Sequence, residues 1–466
     1  MHERPKVVII GAGFAGLSAA KALKGTPVEI LLIDQNNYHT FQPLLYQVAT
    51  SGLDTGDIAY QVRGIFQHQP NFNFRQGRVV AVDKDAKQLQ LEQGATIHFD
   101  YLIIAAGASD NDFGIPGVRE YGFFLKSINE AVNIRSHVLR QFEKANADPA
   151  CIDQGALTFV LVGAGPTGVE LSGAFVELFE LVLRKDFPKL DMSRAKVILL
   201  EATGTVLRPY HPDLQRYTER VLRERGVFLR LNAMVSEVKA DAVLLQSGER
   251  IPAQTLIWAA GVRAHPLAEA LDAELTRGFR LAVTPELHLP SHPDIFVTGD
   301  MAGASDSQGN LYPQVAQVAM QQGKHAARQI RADIGKQARS TFRYRDLGNM
   351  ATIGRSAAVA ELSPLFGNLR FQGLLAWLAW LFLHLVYLIG HQNRLRVFIN
   401  WAYNYFTYDR HTRLITFLPE LRPEANAASL APQPSRNAKV DSAPADTHAE
   451  SGNDEDTEKT SPVTSQ

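Results

Sequence analysis

The stretch at residues 6–34, KVVIIGAGFAGLSAAKALKGTPVEILLID, opens on a continuous apolar run at 7–10 that reads as a buried parallel strand. Gly11, Ala12, Gly13, Phe14, Ala15 and Gly16 follow at once. Apolar residues at helical spacing fill 17–23, and a second strand over 28–33 closes on Asp34. The glycines have separate jobs. Gly11 permits the tight turn, Gly13 lets backbone amides approach a pyrophosphate, and Gly16 lets the helix lie against the strand. The helix N-terminus, at Phe14 and Ala15, offers partial positive charge to phosphate. The Asp34 carboxylate can accept hydrogen bonds from an adenosine ribose. Three glycines at this spacing are weak evidence alone. Set between strand, helix, strand and acid, they predict a dinucleotide site.

The pattern then returns. Residues 158–168, TFVLVGAGPTG, match 6–16; Glu201 closes the strand at 197–200; and 255–261, TLIWAAG, match 101–107, YLIIAAG. The leading glycines, Gly11 and Gly163, stand 152 residues apart, and the closing ones, Gly107 and Gly261, stand 154 apart. Such a repeat implies two copies of one nucleotide-binding fold. Ala106 and Gly107 join the first site; Gly163, Gly165, Gly168, Glu201, Ala260 and Gly261 form the second. Residues 294–300, DIFVTGD, complete the first sheet and set Asp300 at its ligand-binding edge. Two nucleotide sites, one inserted in the other, suit a flavoprotein with FAD in the first and a nicotinamide cofactor in the second.

The expected fold class is α/β, with two Rossmann-like dinucleotide-binding domains and a C-terminal membrane-associating helical segment. Residues 1–112 and 266–335 make the FAD-binding domain and 113–265 the NADH-binding domain. A hairpin and helices span 336–420, and 421–466, poor in apolar residues, reads as a disordered tail. Residues 78–99 read as a small β-meander, 313–328 as a helix and 341–362 as a strand hairpin.

The 466 residues carry 47 basic and 48 acidic side chains, which gives no reason to expect nucleic acid as a partner. The first strand begins by Lys6, leaving no room for a signal peptide and pointing to the cytoplasm. The single cysteine, Cys151, excludes a disulfide framework, a CxxC redox pair and a cysteine metal site within one chain, and no metal is expected. Disulfide reductases and sulfide oxidisers need cysteines beside the flavin. Electrons must leave this protein by another route.

Residues 374–390, LLAWLAWLFLHLVYLIG, carry no formal charge, and only His384 is strongly polar. The run is short of the ~20 residues that span a bilayer. Next, Leu395, Phe398, Ile399, Ala402 and Phe406 share one helical face. Asn393, Arg396, Asn400 and Asn404 share the other, with Trp401, Tyr405 and Tyr408 available at a lipid boundary. Arginines at 370, 394, 396, 410 and 413 face one acid, Asp409. Together these predict a monotopic anchor on a lipid bilayer surface, in preference to a helix pair buried in a dimer interface.

GAGFAG at 11–16, GAGPTGVE at 163–170, FQPLLYQVAT at 41–50, VTGD at 297–300 and AQVAMQ at 316–321 then combine with that apolar segment. Over about residues 5–420 the sequence resembles the type II NADH dehydrogenases, single-subunit NADH:quinone oxidoreductases whose quinone-site signature AQxAxQ fits 316–321. The resemblance implies hydride transfer from NADH to FAD, then two electrons to a membrane quinone, entering a respiratory chain without proton pumping. It implies a homodimer on the cytoplasmic face of the inner membrane. It also places Gln317 and Gln321 by the flavin and the quinone head group, Gln42 and Pro43 near the same pocket, and Glu170 near the nicotinamide and quinone. The glutamines, four apart on one face, can equally be an ordinary polar surface. Glu170 can equally be a first-turn acid favoured by the helix dipole by ~0.3–1 kcal/mol. His384 is a further candidate proton carrier. The alternatives are a soluble NADH reductase of a ferredoxin- or rubredoxin-like carrier, or a flavin protein that switches partners. Glu201 predicts NADH over NADPH, with Arg208 as the counterweight.

Overall fold

The computed structural model describes residues 4–363, 367 and 369–416, so the tail expected over 421–466 lies outside the described residues. Strands Lys6–Ile10, Glu29–Asp34 and Tyr101–Ile104 form the centre of a six-stranded sheet. Phe72–Gln76 adds one parallel edge, and His292–Val297 pairs parallel to Tyr101–Ile104 on the other side. A second, five-stranded parallel sheet centres on Thr158–Val162, flanked by Lys196–Leu200 and Thr255–Trp258. The repeat holds residue by residue. Ile10 faces Ile33 and Ile104, while Val162 faces Leu200 and Trp258.

The repeat also reaches further than the motifs. The expected meander, Val79–Asp83, Gln88–Leu91 and Thr96–His98, has a counterpart in Val235–Lys239, Ala242–Leu245 and Arg250–Pro252. The chain leaves and re-enters the first sheet through Ala108–Asp110 and Val262–Ala264, which pair antiparallel as a two-strand link. Helix Ala316–Ile334 packs on helix Phe14–Ala22, and Gly323 is required there because a Cβ would overlap the Ala15 carbonyl oxygen.

After these units, Gly348–Thr352, Ala358–Leu362 and Arg370–Gln372 make an antiparallel three-stranded sheet, extending the expected hairpin by one strand. The apolar run forms a single helix over most of its length. Leu374–Tyr387 ends before Gly390, whose φ of 91° turns the chain into His391–Thr407. Among the described residues, no helix is long and apolar enough to cross a membrane.

The last helix is amphipathic as expected, and its orientation is inverted relative to an ordinary surface helix. Asn393 Nδ2 donates to the Ala59 carbonyl at 2.9 Å, Asn400 Nδ2 to Asp57 Oδ2 at 2.9 Å, and Asn404 Nδ2 to the Gly52 carbonyl at 3.0 Å. The asparagines therefore face the protein. Leu395, Phe398, Ile399 and Phe406 face outward, Phe406 79 % exposed. The preceding helix likewise exposes Leu375, Leu378 and Phe382 while burying Ala376 and Trp380. One expectation is corrected. Trp401 does not sit at an outer boundary, because its indole N–H donates inward to Gln47 Oε1 at 2.7 Å. Tyr405 and Tyr408 instead flank the Arg355 guanidinium, at 3.9 and 4.1 Å from their ring centres.

Candidate active site

Gly11 has φ 104°, and a Cβ there would overlap the Ala105 carbonyl oxygen; at Gly16 it would overlap the Gly11 carbonyl oxygen. Gly13 differs: a Cβ there meets nothing within 4 Å. Helix Phe14–Ala22 has no side-chain cap, so its first-turn amides remain for a ligand. This open cradle with free amides fits the pyrophosphate of FAD.

Asp34 fastens the loop. Its Oδ2 accepts from the Ala12 amide at 2.6 Å and its Oδ1 from the Asn36 amide at 2.7 Å. Burial raises the Asp34 pKa, and those two amides oppose the rise. His39, unmarked by any motif, holds the loop from the other side. Its Nδ1 lies 2.8 Å from the Ala12 carbonyl oxygen, and burial lowers its pKa to about 4, so the ring is neutral and donates.

The second loop repeats the arrangement. Gly163 has φ 101°, a Cβ at Gly168 would overlap the Gly163 carbonyl oxygen, and Gly165 opens on free space. Helix Pro166–Glu177 is uncapped by any side chain. Glu201 Oε2 accepts from the Ala164 amide at 2.8 Å; its Oε1 takes the amide and hydroxyl of Thr203, at 2.9 and 2.8 Å. Ala260 and Gly261 follow the third strand. Gly261, at φ 72°, has no room for a Cβ beside the Phe113 ring.

At the first sheet's edge, Ala106 packs against a hydrophobic cluster, and Gly107, at φ 77°, accepts the His265 amide at 3.0 Å. Asp300 sits in the turn Gly299–Met301; burial raises its pKa against the pull of Lys126 and Arg280. Gln317 and Gln321 do share one face of helix Ala316–Ile334, but their amides are already engaged. Gln317 donates to the Gly348 carbonyl at 2.9 Å and accepts from the Leu347 amide at 3.1 Å. Gln321 likewise donates to the Arg345 carbonyl at 2.8 Å and accepts from the Arg345 amide at 3.0 Å. The two glutamines thus clamp the backbone that enters the C-terminal sheet.

Glu170 meets the other end of that strand. The Thr352 amide donates to Glu170 Oε1 at 3.3 Å, so Gly348–Thr352 runs from the glutamine clamp to the glutamate. At ~3.3 Å per residue this spans ~13 Å. The indole N–H of Trp380 has no hydrogen-bond partner of regular geometry; it faces the same carboxyl and favours its charged form. Burial outweighs both donors and pushes the Glu170 pKa up to about 8. Glu170 is the fifth residue of helix Pro166–Glu177 and lies beyond its first turn, so the first-turn explanation is corrected. Hydrogen bonds continue outward from Thr352 Oγ1 to the Tyr46 hydroxyl at 3.2 Å and from Gln47 Nε2 to that hydroxyl at 3.0 Å, and Gln47 ends on Trp401.

Gln42 is exposed and Pro43 half-buried in the turn Gln42–Leu44. Phe41 before them touches Phe14 and His384 edge-on, at 5.9 and 6.0 Å between ring centres. His384 stacks on Trp380 at 3.8 Å, and burial lowers its pKa to about 4, so it is a poor proton donor.

The raised Glu170 pKa has a stability consequence. Between its ordinary 4.5 and the folded value of about 8, the native chain keeps a proton that the unfolded chain has lost. Stability from this group is therefore lost as pH rises through that window, by at most ~1.4 kcal/mol per pH unit. Melting temperatures of Glu170→Gln should fall less steeply from pH 5 to pH 8 than those of the wild type. Parallel slopes would mean that Glu170 is ionised in the fold.

Two family models match the chain: a pyridine nucleotide-disulphide oxidoreductase model over residues 5–323 and an NDH2 C-terminal domain over 347–410. The type II NADH:quinone oxidoreductase of Mycobacterium tuberculosis is 39 % identical over 430 residues, covering 89 % of this chain and 91 % of the relative. The chain belongs to the type II NADH:quinone oxidoreductase family. A Haemophilus influenzae enzyme of that name is 30 % identical over 81 % of this chain and 92 % of its own. In fold, the chain resembles NDH2 from Plasmodium falciparum solved with NADH, with a TM-score of 0.81, 19 % identity, and coverage of 89 % of this chain and 100 % of that one. The sulfide:quinone oxidoreductase of Aquifex aeolicus is also similar, with a TM-score of 0.64, 18 % identity, and coverage of 86 % and 95 %. In this type II family member, buried Cys151 is the only cysteine, so the disulphide chemistry in the broader family's name has no dithiol to act through.

Proposed function

We propose that the chain is an FAD-dependent NADH:quinone oxidoreductase whose quinone site is walled by strand Gly348–Thr352. The observation that carries the site is that this one strand is held by Gln317 at the first nucleotide unit and by Glu170 at the second. Bound FAD accepts hydride from NADH and passes two electrons to the quinone.

The residues supply the rest. Gly13 and the uncapped amides after it bind the FAD pyrophosphate, with Asp34 and His39 fixing the loop. Gly165 and Glu201 serve the NADH in the same way. Asp300, Ala106 and Gly107 line the flavin edge. Gln317 and Gln321 hold the C-terminal sheet against it, with Gln42 and Pro43 at the quinone's approach. Glu170, protonated near neutral pH, holds a proton beside an apolar site, where quinone reduction consumes two. His384 contributes packing.

The lipid surface is the proposed location, on the cytoplasmic face where NADH is available. The support is the inverted helix: asparagines bonded inward and Leu375, Phe382 and Phe406, each about 70–80 % exposed, turned outward. A soluble carrier reductase has no use for that face. We also propose a homodimer, on the family resemblance; a dimer burying the same face would hide it from vesicles.

The test is steady-state NADH oxidation by FAD-loaded protein with short- and long-tailed quinones, alongside vesicle flotation. Activity with both quinones and flotation of the wild type are expected. Phe398→Asp with Phe406→Asp should abolish flotation, lower the long-tailed rate at least ~10-fold and spare the short-tailed rate. No quinone reduction would remove the functional reading; flotation of the double variant would place the anchor elsewhere.

A further inference from the structure

We propose that the Phe113 ring is the wall on which the nicotinamide half of NADH packs, which makes Phe113 a positioning residue for hydride transfer that no sequence motif marks. The inference rests on the NADH-oxidising reading of the second nucleotide unit and names a further residue of that site. In the five-stranded sheet, Thr255–Trp258 and Lys196–Leu200 flank Thr158–Val162 on opposite sides. A dinucleotide crosses such a sheet at the carboxyl ends of the strands, with its pyrophosphate over the central loop. Glu201, just beyond Lys196–Leu200, takes the adenosine ribose. The nicotinamide half therefore lies over the end of Thr255–Trp258, at Ala260 and Gly261. That side also leads to the flavin, because Val262–Ala264 pairs with Ala108–Asp110 of the first unit. Phe113 follows that link and stands on Gly261, where a Cβ would overlap the tip of its ring.

Two properties set this ring apart from packing. It is 60 % exposed, and its backbone is left-handed, with φ 53°. A bulky residue is strained in that region, where Gly or Asn fits at little cost. The turn alone would therefore select one of those two. Strain of this kind persists only where the surroundings enforce it, and here they do. The Phe113 amide donates to Asn111 Oδ1 at 3.0 Å, and the Trp258 indole N–H donates to the Asn111 carbonyl at 2.9 Å. Asp112 Oδ1 accepts from the Gly114 amide at 3.3 Å, and the same carboxylate pairs with Arg119. Trp258 is itself buried and ends the strand that leads to Gly261. The loop is thus fastened to the floor of the nicotinamide side, with its ring turned to solvent.

A flat ring and its ribose are the occupant this wall suits. Packing them on Phe113 removes apolar surface of both partners from water, and two aromatic systems gain further from contact. The phenyl group carries no charge and no hydrogen-bonding atom, so it contributes placement and exclusion of water, not proton chemistry. The chain supplies its own control. Among the described residues, Phe279 is the other phenylalanine in a left-handed backbone, at φ 59° and 44 % exposed. Its ring lies under the Arg263 guanidinium, 4.9 Å from the ring centre. The same strain thus occurs once on the closing glycine of the NADH site and once under an arginine, which separates the backbone effect from the ligand effect.

The test is isothermal titration calorimetry of the FAD-loaded full chain with NAD+ and, separately, with ADP, neither of which reduces the flavin, alongside thermal melts without nucleotide. Phe113→Asn should weaken NAD+ binding at least ~5-fold and leave ADP binding within ~2-fold of the wild type, because only NAD+ carries the half that meets the ring. The same variant should melt ~1–2 °C higher, since Asn accepts the left-handed backbone. Phe113→Gly should repeat both results and serves should Phe113→Asn fail to fold. Phe113→Tyr keeps the ring and should hold NAD+ affinity within ~2-fold. Phe279→Asn should raise the melting temperature likewise and leave both ligands unchanged. Unchanged NAD+ affinity in Phe113→Asn, an equal loss for NAD+ and ADP, or a loss in Phe113→Tyr as large as in Phe113→Asn would each overturn the assignment. Wild-type protein that binds both ligands while Phe113→Asn does too, unweakened, sinks this inference alone; wild-type protein that binds neither sinks the NADH reading beneath it.

Discussion

Gly13→Val should give a folded protein without FAD, whereas Gly16→Val should fail to fold its first unit. The two glycines sit three residues apart in one loop and are needed for different reasons. A Cβ at Gly13 meets nothing within 4 Å, so the chain alone tolerates a side chain there. What it fills is the space the pyrophosphate requires, and the loss falls on cofactor binding. A Cβ at Gly16 would overlap the Gly11 carbonyl oxygen, which is itself pinned because the Gly11 amide donates to the Ile33 carbonyl at 2.8 Å. Relieving that overlap moves the helix off the strand, at a cost of ~3 kcal/mol or more. Flavin absorbance per protein and circular dichroism separate the outcomes: a fall of at least ~10-fold in bound FAD with native dichroism for Gly13→Val, and lost dichroism for Gly16→Val. The second loop supplies the control. Gly165→Val, again facing open space, should retain FAD and lose NADH reduction of it. A yellow, FAD-replete Gly13→Val would remove the first-site assignment.

These loops were legible in the sequence because their signals are local. An apolar run, glycines at fixed spacing and a terminal acid each constrain the backbone within a few residues, and the strand registers repeat as the motifs do. The partners of the functional side chains were less legible, because those contacts are far apart in sequence. That Gln317 and Gln321 share a face follows from helical spacing. That both bind the backbone at 345–348 does not, since that stretch has no pattern of its own. Periodicity likewise divided residues 393–406 into apolar and amide faces without saying which face meets the protein. Ala59, Asp57 and Gly52, more than 300 residues earlier, settle it. His39 and Thr203 were passed over because a residue that steadies a loop carries no motif. Glu170 reads in sequence as an acid of a helix's first turn, but the helix begins at Pro166 and the raised pKa comes from burial under a sheet that the sequence does not show.

Glu201 should make the enzyme prefer NADH to NADPH by about a decade in kcat/KM, and Glu201→Gln should erase most of that preference. The carboxylate is fixed on two sides, by the Ala164 amide and by Thr203, so it cannot swing away from a ribose placed at the end of its strand. A 2′-phosphate at ~4 Å from it, at an effective dielectric near 20, meets ~4 kcal/mol of repulsion per charge pair. Solvent and salt reduce that to ~1–2 kcal/mol, which is the expected decade. The competing group is close. Leu207 donates its amide to the Ala164 carbonyl at 2.8 Å, so the next residue, Arg208, starts beside the same loop with an exposed side chain that no carboxylate among the described residues holds. The contest is between a fixed anion and a cation that must be recruited from solvent at an entropic cost, and the fixed group wins. Glu201→Gln also sets an NH2 against one of the loop's N–H donors, so its NADH efficiency should fall as well. The informative quantity is the ratio of kcat/KM for the two cofactors, measured at neutral pH for the wild type, Glu201→Gln and Arg208→Ala. Arg208→Ala should leave NADH untouched and lower the residual NADPH rate; equal wild-type efficiency with both cofactors would show that Arg208 governs the pocket instead.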